Sequence, residues 1–138
     1  MKGGRPFIAL HFSRIISVTK KIFTKAMQLT HANDYRRVYA ARSSAVKGPL
    51  RVSAAANDKG IARIGLSVPG KVGTNVKRNR IKRLIREAFR LNRGSFPAGL
   101  DIVVGVHPHD EKTLDEYASL MLAGVEAVVK TRERREKA

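Results

Sequence analysis

The chain has 138 residues, 43% of them hydrophobic, with 28 Lys and Arg against 11 Asp and Glu, a formal net charge of +17. That length suits one domain with a modest core, and so large an excess of like charge points to a polyanionic partner, nucleic acid ahead of an anionic membrane. With no cysteine, disulfides, thiolate nucleophiles and Cys-based zinc sites are excluded, and no uninterrupted apolar run approaches the roughly 18 residues of a membrane span.

Residues 1–26 carry Lys2, Arg5, Arg14, Lys20, Lys21 and Lys25 and no acid. The apolar stretch Phe7–Val18 is broken by His11, Ser13 and Arg14 and makes a poor secretory signal. A transit peptide shares this composition, but the preferred reading is a basic extension, expected to be disordered, with Met27 as an alternative start. A folded domain is expected over 27–130, followed by a basic tail at 131–138.

Within that domain Thr30 or Asn33 can cap a first helix, and Tyr35, Val38 and Tyr39 share a face at helical spacing. Lys47-Gly48-Pro49 is a break. Leu50, Val52 and Ala54 alternate with polar neighbours as a half-buried strand over Leu50–Ala56. Asn57-Asp58-Lys59-Gly60 has the chemistry of a tight hairpin turn. A second strand follows, Ala62, Ile64, Leu66 and Val68 inward, Arg63, Gly65 and Ser67 outward. Gly73-Thr74-Asn75 leads into a long helix ending near Gly94. Leu100–Val106 is nearly continuous in apolar residues and reads as a buried central strand. Thr113 and Glu116 form a capping box for a last helix, whose core stripe is Leu114, Ala118, Met121, Val125 and Val128 or Val129.

The helix over Val76–Arg93 carries the functional signal. Ile81, Leu84, Ile85 and Ala88 make its apolar arc; Asn79, Lys82, Arg83, Arg86 and Arg90 lie opposite, with Arg93 at the end and Arg78 and Arg80 flanking. Cations recurring every three or four residues stand roughly 5–6 Å apart, close to the spacing of phosphates along a strand, and Arg forks pair with phosphate oxygens. An ordinary solvated face mixes signs, whereas here the single acid Glu87 is placed to offset Arg83 alone. The helix start, with Lys71 and Lys77 beside it, also favours an anion. Tyr35 and Tyr39 suit either base stacking or core packing. His107, His109 and Asp110 lack the further ligands a metal site needs, and no nucleophile–base pair is visible. No catalytic residue and no metal ligand is therefore assigned.

The run Arg63-Ile64-Gly65-Leu66-Ser67-Val68, then Lys71-Val72-Gly73, then Arg78-Asn79-Arg80-Ile81-Lys82-Arg83-Leu84-Ile85-Arg86-Glu87-Ala88-Phe89-Arg90 closely resembles the protein subunits of bacterial ribonuclease P. The likeness runs more loosely from about Leu29 to Lys130. It implies a single compact α/β (α+β) domain of the ribosomal protein S5 domain 2-like type: a sheet of about four strands with helices, and a left-handed βαβ crossover, an exception to the usual hand. It also implies binding to ribonuclease P RNA in a cytoplasmic ribonucleoprotein that removes the 5′ leader of precursor tRNA by hydrolysing one phosphodiester bond. The catalytic site and most of the Mg²⁺ belong to the RNA. The resemblance makes Lys71, Arg78, Asn79, Arg80, Lys82, Arg83, Arg86 and Arg90 RNA contacts. Tyr35 and Tyr39 become leader contacts in a cleft between the first helix and the sheet, with Tyr35 the better placed.

The chain departs from the family pattern in two places. Pro69-Gly70 stands before a single Lys71 where a basic pair is usual, and the first strand ends in three alanines where an aromatic is frequent. A ribosomal assembly protein on a similar fold is separated from this reading only by the motif. A DNA-binding basic helix lacks its zipper seam, and a membrane-surface helix lacks its Trp or Phe anchors, so neither DNA nor membrane is expected as a partner.

Overall fold

The computed structural model describes residues 27–137, and the expectations for residues 1–26 lie outside them. Its elements in chain order are α1 (Ala32–Ala40), β1 (Ser44–Lys47), β2 (Leu50–Ala56), β3 (Arg63–Ser67), a 3-10 turn at Gly70–Val72, α2 (Asn75–Leu91), a 3-10 turn at Arg93–Ser95, β4 (Leu100–Val106) and α3 (Leu114–Lys137).

The four strands form one mixed sheet in the order β1-β2-β4-β3. β4 is central: Ile102, Val103 and Val104 are almost wholly buried, as expected for a strand covered on both faces. Its position overturns the expected hairpin at Asn57–Gly60. β2 pairs antiparallel with β4, and β3 pairs parallel with β4, so β2 and β3 never touch along a ladder. The turn chemistry is nonetheless present, with Asn57 Oδ1 accepting from Lys59 N–H at 2.8 Å. The most apolar strand takes the most buried slot, and two half-polar strands cannot exclude it.

β1 was not foreseen. It is a four-residue edge strand whose Val46 is exposed, too short and too weakly patterned to read as a strand. The break at Gly48-Pro49 is its hairpin turn onto β2, with Lys47 opposite Leu50 and Gly48 in the left-handed region at φ +56°. At the other edge, Leu29 N–H donates to Ile64 O at 2.9 Å. That pairing keeps the chain extended up to His31, so α1 begins at Ala32 with His31 as its cap, and neither Thr30 nor Asn33 serves.

Alternate residues of each strand face opposite layers. Leu50, Val52, Ala54, Ile64, Ile102, Val104 and Val106 pack against α2 and α3 in the main core. Ala55 and Val103, on the other face, join Leu29 and Val38 in a smaller cluster under α1. Gly124 permits close approach of α3 to the sheet: a Cβ there would lie 2.5 Å from Val52 Cγ2. Phe89 and Phe96 pack with their rings tilted at 42° and 5.0 Å between centroids where α2 meets the loop after it. Tyr117, absent from the expected stripe, is the largest wholly buried side chain among the described residues.

The helix ends also have local causes. Thr74 Oγ1 accepts from Lys77 N–H at 3.2 Å to cap α2, and Asn92 turns its side chain onto Ala88 O at 2.8 Å to end it, short of Gly94. Arg93 therefore falls in the following turn. The capping box forms, Thr113 N–H on Glu116 Oε1 at 2.8 Å and Glu116 N–H on Thr113 Oγ1 at 3.2 Å. α3 does not dissolve at Lys130; it continues to Lys137, through most of the segment expected as a basic tail.

Candidate nucleic-acid interface

α2 turns Ile81, Ile85, Ala88 and Phe89 into the core, and Leu84, expected there, is only partly buried. The opposite arc, with Gln28 from the strand edge, lines a groove of about 460 Å³ formed by Asn79, Lys82, Arg83, Arg86, Glu87 and Arg90. Five of the expected RNA-contacting residues are thus brought together by helical periodicity alone. Gln28 joins them because its backbone pairs with Ile64 on the edge of β3.

The charges in that groove are not equivalent. Glu87 pairs with Arg90, i to i+3, rather than with Arg83, and the Arg90 side chain is only 14% exposed. Arg80 reaches Glu111 on the loop before α3 at 3.1 Å. Arg78 folds back on the helix start, donating to Gly73 O at 3.3 Å and to Asn75 Oδ1. Lys77, beside the helix start, donates to His109 O at 2.8 Å. Among the described residues Lys82, Arg83 and Arg86 form no ion pair, so their positive charge is left to an outside anion.

Lys71 does not join that groove. The 3-10 turn at Gly70–Val72 buries Val72 in the core and directs Lys71 to the other side of the sheet. There it lines a cleft of about 210 Å³ with Tyr39, Arg51, Ser53, Ser67, Pro69, Val103, Gly105, Val106 and His107. Strand register explains the cleft. Arg51, Gly105 and Ser67 lie side by side across β2, β4 and β3, and Gly105 leaves the middle of the floor without a side chain. Tyr39, half exposed, stands on the α1 side, with Arg51 and Lys71 contributing positive charge.

Tyr35 is differently placed. Its hydroxyl accepts from Leu66 N–H and donates to Leu29 O, each at 3.2 Å, bonding α1 to the β3 edge. A Cβ on Gly65 would meet that hydroxyl at 2.6 Å, so glycine makes the approach possible. Burial raises the Tyr35 pKa, the bond from Leu66 opposing it in part. Of the two tyrosines, it is Tyr39 that lines the cleft.

One buried ionic cluster had no place in the sequence reading. Asp101, in β4, is wholly buried; it accepts from Arg63 at 2.8 Å, from Asn57 Nδ2 at 2.6 Å and from Arg37 of α1. Burial works to raise its pKa, but the bonds from Arg63, Asn57 and Arg37 outweigh it and hold the carboxyl below its ordinary range. An acid inside an apolar strand demands such partners, and that was the available signal. His109 has both ring nitrogens engaged, Nδ1 with His107 O and Nε2 with Tyr117 Oη, each at 2.8 Å.

Comparison with known proteins agrees with this architecture. The family model described as Ribonuclease P matches residues 23–129. The ribonuclease P protein component of Syntrophus aciditrophicus is 38% identical over 85 residues, 62% of this chain and 71% of that protein. That of Alkaliphilus metalliredigens is 36% identical over 96 residues, 69% and 86%. The ribonuclease P protein of Staphylococcus aureus superposes with a TM-score of 0.63 at 28% identity, covering 77% of this chain and 94% of that one. The Thermotoga maritima protein gives 0.61 at 27% identity, covering 70% and 92%.

Proposed function

Because the chain belongs to the ribonuclease P protein family, we propose that it is the protein subunit of that ribonucleoprotein, with the α2 groove on the catalytic RNA and the α1–sheet cleft on the 5′ leader of precursor tRNA. The observation that carries the groove assignment is the set of cations Lys82, Arg83 and Arg86 on one face of α2, none with an ion pair among the described residues. Their spacing suits successive phosphates, and the main core behind α2 fixes the helix backbone that carries them before RNA arrives, so only their side chains remain to be ordered on binding.

The cleft offers an aromatic wall at Tyr39 for a base and cations at Arg51 and Lys71 for its phosphates, which suits an unpaired strand and not a duplex. Cleavage of the leader is assigned to the RNA, which also holds most of the Mg²⁺. Among the described residues no three His, Cys, Asp or Glu come together to hold a metal ion. DNA and membrane are not proposed as partners, and among the described residues no helix is long and apolar enough to cross a membrane. The cytoplasm, where precursor tRNA is made, is the proposed location.

The test is an assay of the full chain on precursor tRNA, with and without ribonuclease P RNA, at low Mg²⁺. Leader removal is expected only with the RNA present, and faster than with the RNA alone. Clean cleavage by RNA-free protein would overturn the division of labour.

A further inference from the structure

We infer that Arg135, near the end of α3, is a positioning residue for the cleft: its guanidinium holds the end of α1 and so sets Tyr39 over the cleft floor. The inference rests on the reading of that cleft as the seat of the leader.

α1 has only nine residues, and its last turn is closed by the residues just beyond it, Ala41 N–H on Arg37 O and Val38 O and Arg42 N–H on Tyr39 O. Beyond it the chain reverses through Arg42 at φ +52°, a left-handed conformation that a non-glycine residue adopts at a cost. Arg135 meets this turn from 92–94 residues away in sequence: Nη1 donates to Ala41 O at 3.3 Å and to Ser43 Oγ at 3.2 Å, and Nη2 to Arg42 O at 2.8 Å. A planar fork reaches these acceptors from two nitrogens held in fixed geometry, where an ammonium offers one, and a cation at a helix C-terminus complements the negative end of the dipole.

The other anchors of α1 sit earlier. Tyr35 is bonded to β3, Arg37 to Asp101 and to Ala56 O, and Val38 is wholly buried. These reach as far as Val38 in the last turn, whereas Tyr39, half exposed, and the residues that close that turn lie beyond them, where fraying is easiest. Arg135 clasps the residues that directly follow. With it in place Tyr39 has a fixed position against the floor at Gly105 and Val103; without it, order has to be imposed by the leader at a cost in affinity.

The test uses the full chain reconstituted with ribonuclease P RNA, and two probes, a precursor tRNA with its leader and the same tRNA without one. Arg135→Ala is expected to weaken binding of the leader-bearing probe about three- to tenfold, the order of one ordered contact. The leaderless probe and the dependence of affinity on salt stay unchanged. Arg135→Lys, with fewer and less directed donors, falls between, and carries the test if Arg135→Ala unfolds. Combined with Tyr39→Ala, Arg135→Ala adds nothing, because the two act through one contact. Equal losses on both probes, with the salt slope flattened by about one, would mark a direct phosphate contact and overturn the inference. So would additive losses in the double variant. If Tyr39→Ala removes the leader preference and Arg135→Ala does not, only the inference falls; if Tyr39→Ala leaves that preference intact, the cleft reading falls and takes the inference with it.

Discussion

Arg63 holds Asp101 in a two-point grip, Nε on one carboxylate oxygen and Nη2 on the other, both at 2.8 Å. The pair crosses from β3 to β4, and Arg37 brings α1 onto the same carboxylate. This cluster therefore ties the helix beside the cleft to the centre of the sheet.

Asp101→Asn should destabilise the domain by about 3–5 kcal/mol, the cost of removing one partner from a buried charge pair. The same carboxyl gives the wild type an acid limb. Its folded pKa lies below the unfolded value, so its contribution is complete above about pH 4 and is lost as pH falls through the lower folded pKa. Melting temperatures against pH should therefore fall more steeply below pH 4 in the wild type than in Asp101→Asn. Parallel acid limbs would show that Asp101 is not ionised in the fold.

Arg83→Ala and Arg86→Ala remove exposed cations of the groove that form no ion pair among the described residues. Each should weaken binding to ribonuclease P RNA by about 1–3 kcal/mol and reduce the salt slope by up to about one, with melting unchanged. Ile85→Ala, wholly buried on the other arc, should instead cost about 2–5 kcal/mol of stability. Leu84→Ala should cost less than Ile85→Ala, because Leu84 is only partly buried. RNA titrations across salt, beside melting curves, separate the two faces.

Arg90 should behave unlike its neighbours. It is mostly buried against Glu87, and its Nη1 has no hydrogen-bond partner among the described residues. Arg90→Ala should lower the melting temperature more than Arg83→Ala does and reduce the salt slope less. A full unit of slope lost at Arg90 would show that it swings out to phosphate.

The two tyrosines of α1 should separate by readout. Tyr35→Phe leaves Leu66 N–H and Leu29 O without their partner and should cost about 1–3 kcal/mol of stability. Gly65→Ala should be worse still for folding, since its Cβ would lie 2.6 Å from that hydroxyl. Tyr39→Ala should leave melting nearly unchanged and weaken only leader-bearing substrates, by about 1–3 kcal/mol if one base stacks on the ring. Calorimetry of the free protein and binding to substrates with and without a leader give both answers.

Much of this protein follows from local pattern. The 3.6-residue period of α2 separated Ile81, Ile85 and Ala88 from Asn79, Lys82, Arg83 and Arg86; the apolar run of β4 marked a central strand; Thr113 and Glu116 marked the start of α3. Each is determined within one turn or one strand by side-chain direction and hydrogen-bonding capacity, so the chain states it outright. Tertiary structure decided whatever depended on a partner distant in sequence. It inserted β4 between β2 and β3 and sent Lys71 to the cleft rather than the groove. It also bonded Tyr35 to β3 while leaving Tyr39 open, and kept α3 helical to Lys137 with Arg135 on the α1 turn. Register and burial are properties of pairs of elements, and Asp101 shows the consequence. A lone acid in an apolar strand announces that it needs partners, but only the packed sheet shows that they are Arg63, Asn57 and Arg37.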